Sequence, residues 1–120
     1  MTVKLLLLKS GEDLVADVSE MNVEIDGQNK VVGYYLDCPH KVKVVSEAPK
    51  SGTTKYRSSI QMIAWVPLSK DRTIPIPSDW VVTITEPLDV VVNMFTKRRD
   101  QINESEITSV AEQPYLADSD

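Results

Sequence analysis

One cysteine, one histidine and four glycines in 120 residues remove several function classes at once. A lone Cys38 closes no internal disulfide, which excludes a disulfide-stapled extracellular scaffold. None of Gly11, Gly27, Gly33 and Gly52 falls in a phosphate-cradling loop, so nucleotide-dependent catalysis has no motif to rest on. The longest uninterrupted apolar run, Met62 to Val66, is far too short to span a bilayer. Leu5 to Leu8 is too short for a signal-peptide core and is followed at once by Lys9, so a cytoplasmic location is the default expectation and no membrane partner is expected.

Metal and nucleophile chemistry are equally poorly supplied. Cys38 and His40 would share a face on a straight strand, but a zinc site needs two more ligands and the chain has no further Cys or His. As a nucleophile pair they lack an orienting group. The plainer reading has Cys38 packing as a small apolar residue and His40 at the surface. The carboxylate pairs Glu12/Asp13 and Asp17/Glu20 lie on or beside a predicted hairpin, where solvent is their ordinary environment. The chain is therefore expected to be non-enzymatic, with no cofactor, no metal and no small-molecule substrate.

What is present is a folding chain with a charge asymmetry. The length fits one domain. The hydrophobic share is 42% and the charged share 26%; a domain of this size buries roughly 65% of its unfolded surface, enough for a modest core. The net charge of −5 is not evenly spread. All 13 Lys and Arg lie in residues 1–99, together with 12 acids, whereas residues 100–120 hold six acids and no base. The body is nearly neutral, so whole-chain charge is no bar to nucleic acid and no support for it.

Period-two alternation dominates the first 85 residues. Val3–Lys9 reads as a strand, Ser10-Gly11-Glu12-Asp13 as a tight turn, and Asp13–Val23 as a second strand with Leu14, Ala16 and Val18 on one face. Asp26-Gly27 is a hairpin signal. Val31–Val45 is a third strand that Pro39 must bend or bulge. Ser46–Thr54 is a loop, and Lys55–Leu68 a fourth strand with Ile60, Met62, Ala64 and Val66 on one face. Thr73–Thr85 is a fifth, interrupted by Ile74-Pro75-Ile76-Pro77. The period then changes: Leu88, Val91, Val92, Phe95, Arg99 and Ile102 follow helical spacing, which predicts a helix over about 86–102. The expectation is a mostly β domain over 1–102, a small, strongly bent five-stranded antiparallel barrel with one C-terminal helix, followed by an acidic, disordered tail over 103–120.

Two basic foci follow. Lys50, Lys55 and Arg57 flank Tyr56, and aromatic–basic groupings of this kind can stack bases and neutralise phosphates. Lys97-Arg98-Arg99 near the expected helix end has a plainer reading as favourable interaction with the helix dipole. Trp65 and Trp80, with Ile63 and Val82, lie in the last two predicted strands. Open strand edges there make these four residues the candidate assembly surface.

The segment Val3-Lys4-Leu5-Leu6-Leu7-Leu8-Lys9-Ser10-Gly11-Glu12-Asp13-Leu14-Val15-Ala16-Asp17-Val18 looks like the start of the first Sm motif: an apolar strand, a glycine turn and an alternating strand. Over residues 3–85 the chain resembles the Sm-like (LSm/Hfq) fold, and most of all the Sm-like proteins of tailed cyanobacterial phages, also met in marine metagenomes. That resemblance implies subunits joined edge to edge in a homo-oligomeric ring around a pore, with RNA as the candidate ligand. The family's loop Asp and Asn find loose equivalents in Asp26 and Asn29. The turn Ser69-Lys70-Asp71-Arg72 carries the charges of the second Sm motif without its glycine, and the helix follows the barrel instead of preceding it. The RNA-contact candidates are accordingly Lys70, Arg72, Asp26 and Asn29, with Lys55, Tyr56 and Arg57. The rival expectation is a structural or protein-interaction ring of phage origin with no nucleic-acid role.

Overall fold

The computed structural model describes residues 2–49, 51–52 and 57–112, with the side chains of Glu47, Arg57 and 104–112 left aside. It contains six strands and one helix: β1 (Val3–Leu8), β2 (Asp13–Ile25), β3 (Gln28–Glu47), β4 (Arg57–Ala64), β5 (Thr73–Pro77), β6 (Val81–Thr85) and α1 (Asp89–Glu112). The protein is mostly β, and every strand pairing is antiparallel. The ladder runs β4-β3-β2-β1-β6, with β5 also on β3, and does not close within the chain.

Turn chemistry sets the first three strands. Gly11, with φ +89, closes the β1–β2 turn, in which its N–H donates to the Leu8 carbonyl at 2.9 Å. Asp26 and Gly27 both have positive φ, the pair of left-handed residues that a two-residue hairpin of the right twist requires. The third strand is bent at the proline. Val15 pairs with His40 and Asp17 with Asp37, so β3 carries one extra residue there, and Cys38 takes a left-handed φ of +56 to accommodate it. One edge of β3 follows β2; the other holds β5 along Gly33–Asp37 and β4 along His40–Glu47.

The expected fifth strand is two strands. After Pro77 the chain makes one 3₁₀ turn over Ser78–Trp80, leaves β3 and continues as β6 on β1. The fourth ladder ends at Ala64, earlier than the expected Leu68, because Val66 turns into the left-handed region.

Each sheet face carries a core. Leu6, Leu8, Leu14, Ala16, Val18, Leu36 and Ile76 form one cluster, with Tyr34, Trp65, Val81 and Ile84 packed against it. On the other face Val15, Cys38 and Met62 meet Val91 and Phe95 of the helix. The alternation of Leu14, Ala16 and Val18 thus sorts β2 as its pattern predicts. The helix starts at Asp89, after Pro87, and continues to Glu112 instead of ending at Ile102. No glycine or proline interrupts the sequence before Pro114, and Asn103 is held by the Arg72 side chain. Lys97-Arg98-Arg99 therefore sits in the middle of the helix, away from its dipole end. Residues 113–120 of the expected tail lie outside the described residues.

Candidate functional site

The bend in β3 organises the densest polar chemistry of the described residues. Where the extra residue lifts Cys38 and Pro39, the β4–β5 connection folds across them: the Trp65 N–H donates to the Pro39 carbonyl at 3.0 Å, and the Cys38 N–H to the Arg72 carbonyl at 2.9 Å. The connection turns through Val66, whose φ of +56 is strained for a β-branched side chain; the Ser69 N–H closes that turn on the Val66 carbonyl. Between bend and connection lies a cleft of about 230 Å³, with Pro39, His40, Trp65, Lys70, Arg72 and Ile102 in its walls.

Beside it, four charges bind strand to helix. Arg99 of α1 donates to Asp17 on β2 at 3.0 Å and to Asp37 on β3 at 2.5 Å. The Arg72 Nε lies 3.3 Å from the other Asp37 oxygen, which also accepts from the Thr73 hydroxyl at 3.1 Å, while Arg72 Nη1 donates to Asn103. The Arg99 guanidinium also lies 5.7 Å from the centre of the Phe95 ring. Two arginines and two carboxylates balance, so this is a neutral latch in which Arg99 makes the charge-assisted hydrogen bonds and Arg72 Nε, buried without a hydrogen-bond partner among the described residues, contributes only an ion pair. The expectation of a solvent-facing Asp17 is corrected: its partner arrives from a helix that is remote in sequence.

His40 is corrected as well. It is 1% exposed and belongs to the core. Its Nδ1 lies 2.8 Å from the Cys38 carbonyl, which only accepts, so Nδ1 carries a proton. Nε2 is sealed without a hydrogen-bond partner among the described residues. The ring meets Phe95 edge-on, with centroids 6.2 Å apart. Burial pushes its pKa below the ordinary value of 6.5; the bond to Cys38 opposes this and the Arg98 charge adds to it. Among the described residues, no group of three or more His, Cys, Asp or Glu is placed to hold a metal ion.

The expected contact residues do not converge within one chain. Lys70 is exposed at the cleft rim, whereas Arg72 is engaged by Asp37 and Asn103. Asp26 and Asn29 are exposed at the tip of the β2–β3 hairpin. Asn29 and Cys38 are nine positions apart on β3, roughly 30 Å of extended chain. Arg57 begins β4, its side chain outside the description; Lys55 and Tyr56 lie outside the described residues. Of the assembly candidates, Ile63, Trp80 and Val82 are 48%, 43% and 59% exposed, on or beside the two outer strands. Trp65 instead packs partly buried against the first core cluster and lines the cleft. Sequence reasoning missed Asp17, Asp37, Arg99 and Asn103 as a unit. The available signal was Arg99 itself, a charge on the apolar stripe of the helix.

Among the described residues, no helix is long and apolar enough to cross a membrane. The chain matches no protein-family model and no curated protein.

Proposed function

We propose that this protein is a non-enzymatic assembly module: a bent, Sm-like β-domain whose copies join edge to edge into a ring. The observation that carries this reading is the open ladder, which leaves β4 and β6 as outer strands with exposed Ile63, Val82 and, beside β6, Trp80. Unpaired outer strands bearing apolar side chains, without the lysines or prolines that guard solitary edges, favour pairing with another chain. Joining β4 of one copy to β6 of the next is a head-to-tail contact, and such contacts form a ring where the rotation between copies closes. The sharp bend of β3 at Cys38–Pro39 supports the barrel-like curvature that this geometry needs.

Light scattering tests it directly. The wild type is expected at several times its chain mass of 13.4 kDa. Ile63→Lys and Val82→Lys, both at exposed positions, are expected to lower that mass while circular dichroism keeps its β signature. A wild type that stays at one chain mass across concentrations overturns the proposal.

RNA binding is the second reading, favoured by one feature: exposed Lys70 stands on the rim of a cleft that Trp65 lines. A uridine oligonucleotide titrated across a salt series decides it, because phosphate contacts weaken linearly in log salt. Absence of binding at low salt removes this reading and leaves the assembly module intact.

A further inference from the structure

The helix and the second strand advance together. Phe95 packs with Val15, and one turn further on Arg99 bonds Asp17. Four helix residues rise about 6 Å and two strand residues about 6.6 Å, so α1 runs along β2 in the same direction and at the same rate. Another turn on, Asn103 is held by Arg72, the neighbour of Thr73, which pairs with Asp37. The helix thus stays over the β2–β3 ribbon as that ribbon leaves the packed centre of the sheet. From Arg99 to its last residue, Glu112, it rises about 20 Å. From Asp17 to Val23 β2 also covers about 20 Å. The helix therefore ends level with Val23, just short of the hairpin turn at Asp26-Gly27. Pro114 accounts for the stop, because it has no N–H to donate and turns the residue before it away from helical backbone.

The ribbon face on the helix side is apolar there and carries a single charge. Odd-numbered residues of β2 share the face of Val15 and Asp17, so Met21, Val23 and Ile25 lie on it. Residues directly opposite each other in an antiparallel ladder share a face, which adds Tyr35, opposite Ser19, and Lys30, opposite Val23. Val23, Ile25 and Tyr35 are 39%, 43% and 41% exposed. Lys30 is exposed and makes no ion pair among the described residues. Glu20 and Glu24 point from the other face. A two-stranded ribbon with both faces in water is marginal alone, so this face gains from a cover.

Residues 113–120 lie outside the described residues, and they follow the helix at the level where this face is uncovered. Their large apolar side chains are Tyr115 and Leu116, and their charges are Asp118 and Asp120, opposite in sign to Lys30. Tyr115 is three residues past Glu112, a reach of roughly 10 Å; Val23 to Ile25 is about 6.6 Å. We infer that the C-terminal segment of the chain turns over the helix-side face of its own β2–β3 ribbon, setting Tyr115 and Leu116 on Val23, Ile25 and Tyr35 and its carboxylates beside Lys30. The inference concerns a single chain and does not depend on the assembly reading. Covered in this way, the ribbon is closed to stray pairing, which leaves β4 and β6 as the strands open to another copy.

Two measurements test it. Carbodiimide joins an amine to a carboxylate where the two are in contact. On the full chain it is expected to link Lys30 to Asp118 or Asp120 in a species of one chain mass under denaturing conditions. Absence of that link overturns the inference, and so does the link in a species of twice the chain mass, which places a neighbour's segment on the ribbon. In hydrogen exchange, Tyr115→Ser with Leu116→Ser is expected to speed amide exchange over residues 22–31 by about three- to tenfold. Exchange over Leu5–Leu7 and Leu14–Val18 should stay as in the wild type, which shows that the fold is kept. Lys30→Glu should speed the same ribbon amides at low salt. Ribbon exchange unchanged in the Tyr115→Ser/Leu116→Ser variant overturns the inference.

Discussion

Replacing Phe95 with Ala should detach the helix from the sheet. Phe95 is fully buried, packs with Val15, Cys38, Met62 and Val91, meets His40 edge-on and lies under the Arg99 guanidinium. Removing a buried phenylalanine costs about 3–5 kcal/mol, the transfer of its atoms plus the cavity left behind. The upper half of that range applies, because the walls cannot easily collapse: Val15 is held in the β2–β3 ladder and Arg99 by two carboxylates. With a urea dependence of about 1.5 kcal/mol per molar, the unfolding midpoint should fall by about 3 M. The measurement is urea titration followed by circular dichroism, at one fixed protein concentration because assembly adds stability by mass action. Leu88→Ala, just ahead of the same helix at a side chain 70% exposed, is the control and should cost under about 0.5 kcal/mol. A Phe95→Ala loss below about 1 kcal/mol would refute the claim that this ring joins helix to sheet.

Two further outcomes follow from buried groups. His40 has a lowered pKa in the folded protein, so the unfolded chain takes up its proton first; its contribution to stability is constant above about pH 6.5 and is lost as pH falls below that value. Stability measured between pH 7.5 and 5 should therefore drop more steeply in the wild type than in His40→Met, by at most about 1.4 kcal/mol per pH unit, and parallel curves would contradict the buried neutral ring. At Gly33 an added Cβ would lie 2.5 Å from the Ile76 carbonyl oxygen. Gly33→Ala should cost about 1–3 kcal/mol and speed amide exchange in β5 first, because strand backbone is what must yield; a neutral substitution would show that β5 is not pressed on β3.

The local parts of this fold were legible, and the non-local parts were not. The alternation in β2, the glycine turn at Gly11, the paired left-handed residues Asp26 and Gly27, and the bulge at Pro39 all follow from residues within a few positions of each other. The division of Thr73–Thr85 does not. Whether Ile74–Ile76 joins Tyr34–Leu36 and Val82–Thr85 joins Leu5–Leu7 is a choice between distant strands, on which alternation is silent. Arg72 and Lys70 make the same point for the site. They stand two residues apart in one turn, yet Asp37 and Asn103, both far away in sequence, engage one and leave the other exposed.

His40 shows how a single backbone event changes what a side chain can do. Up to Asp37, odd-numbered residues of β3 face the helix, as the Arg99–Asp37 pair shows. The extra residue at Cys38–Pro39 reverses that alternation. Past it the even-numbered residues face the helix, so His40 pairs with Val15, and Val42 packs against the helix-side cluster. Read as an unbroken strand, the sequence puts His40 on the wrong face relative to Asp37. The residue expected at the surface is therefore in the core, and the lysines at 41 and 43 are set on the opposite face by the same reversal. One proline-directed bulge thus fixes both where the imidazole is buried and which face of β3 the two lysines occupy.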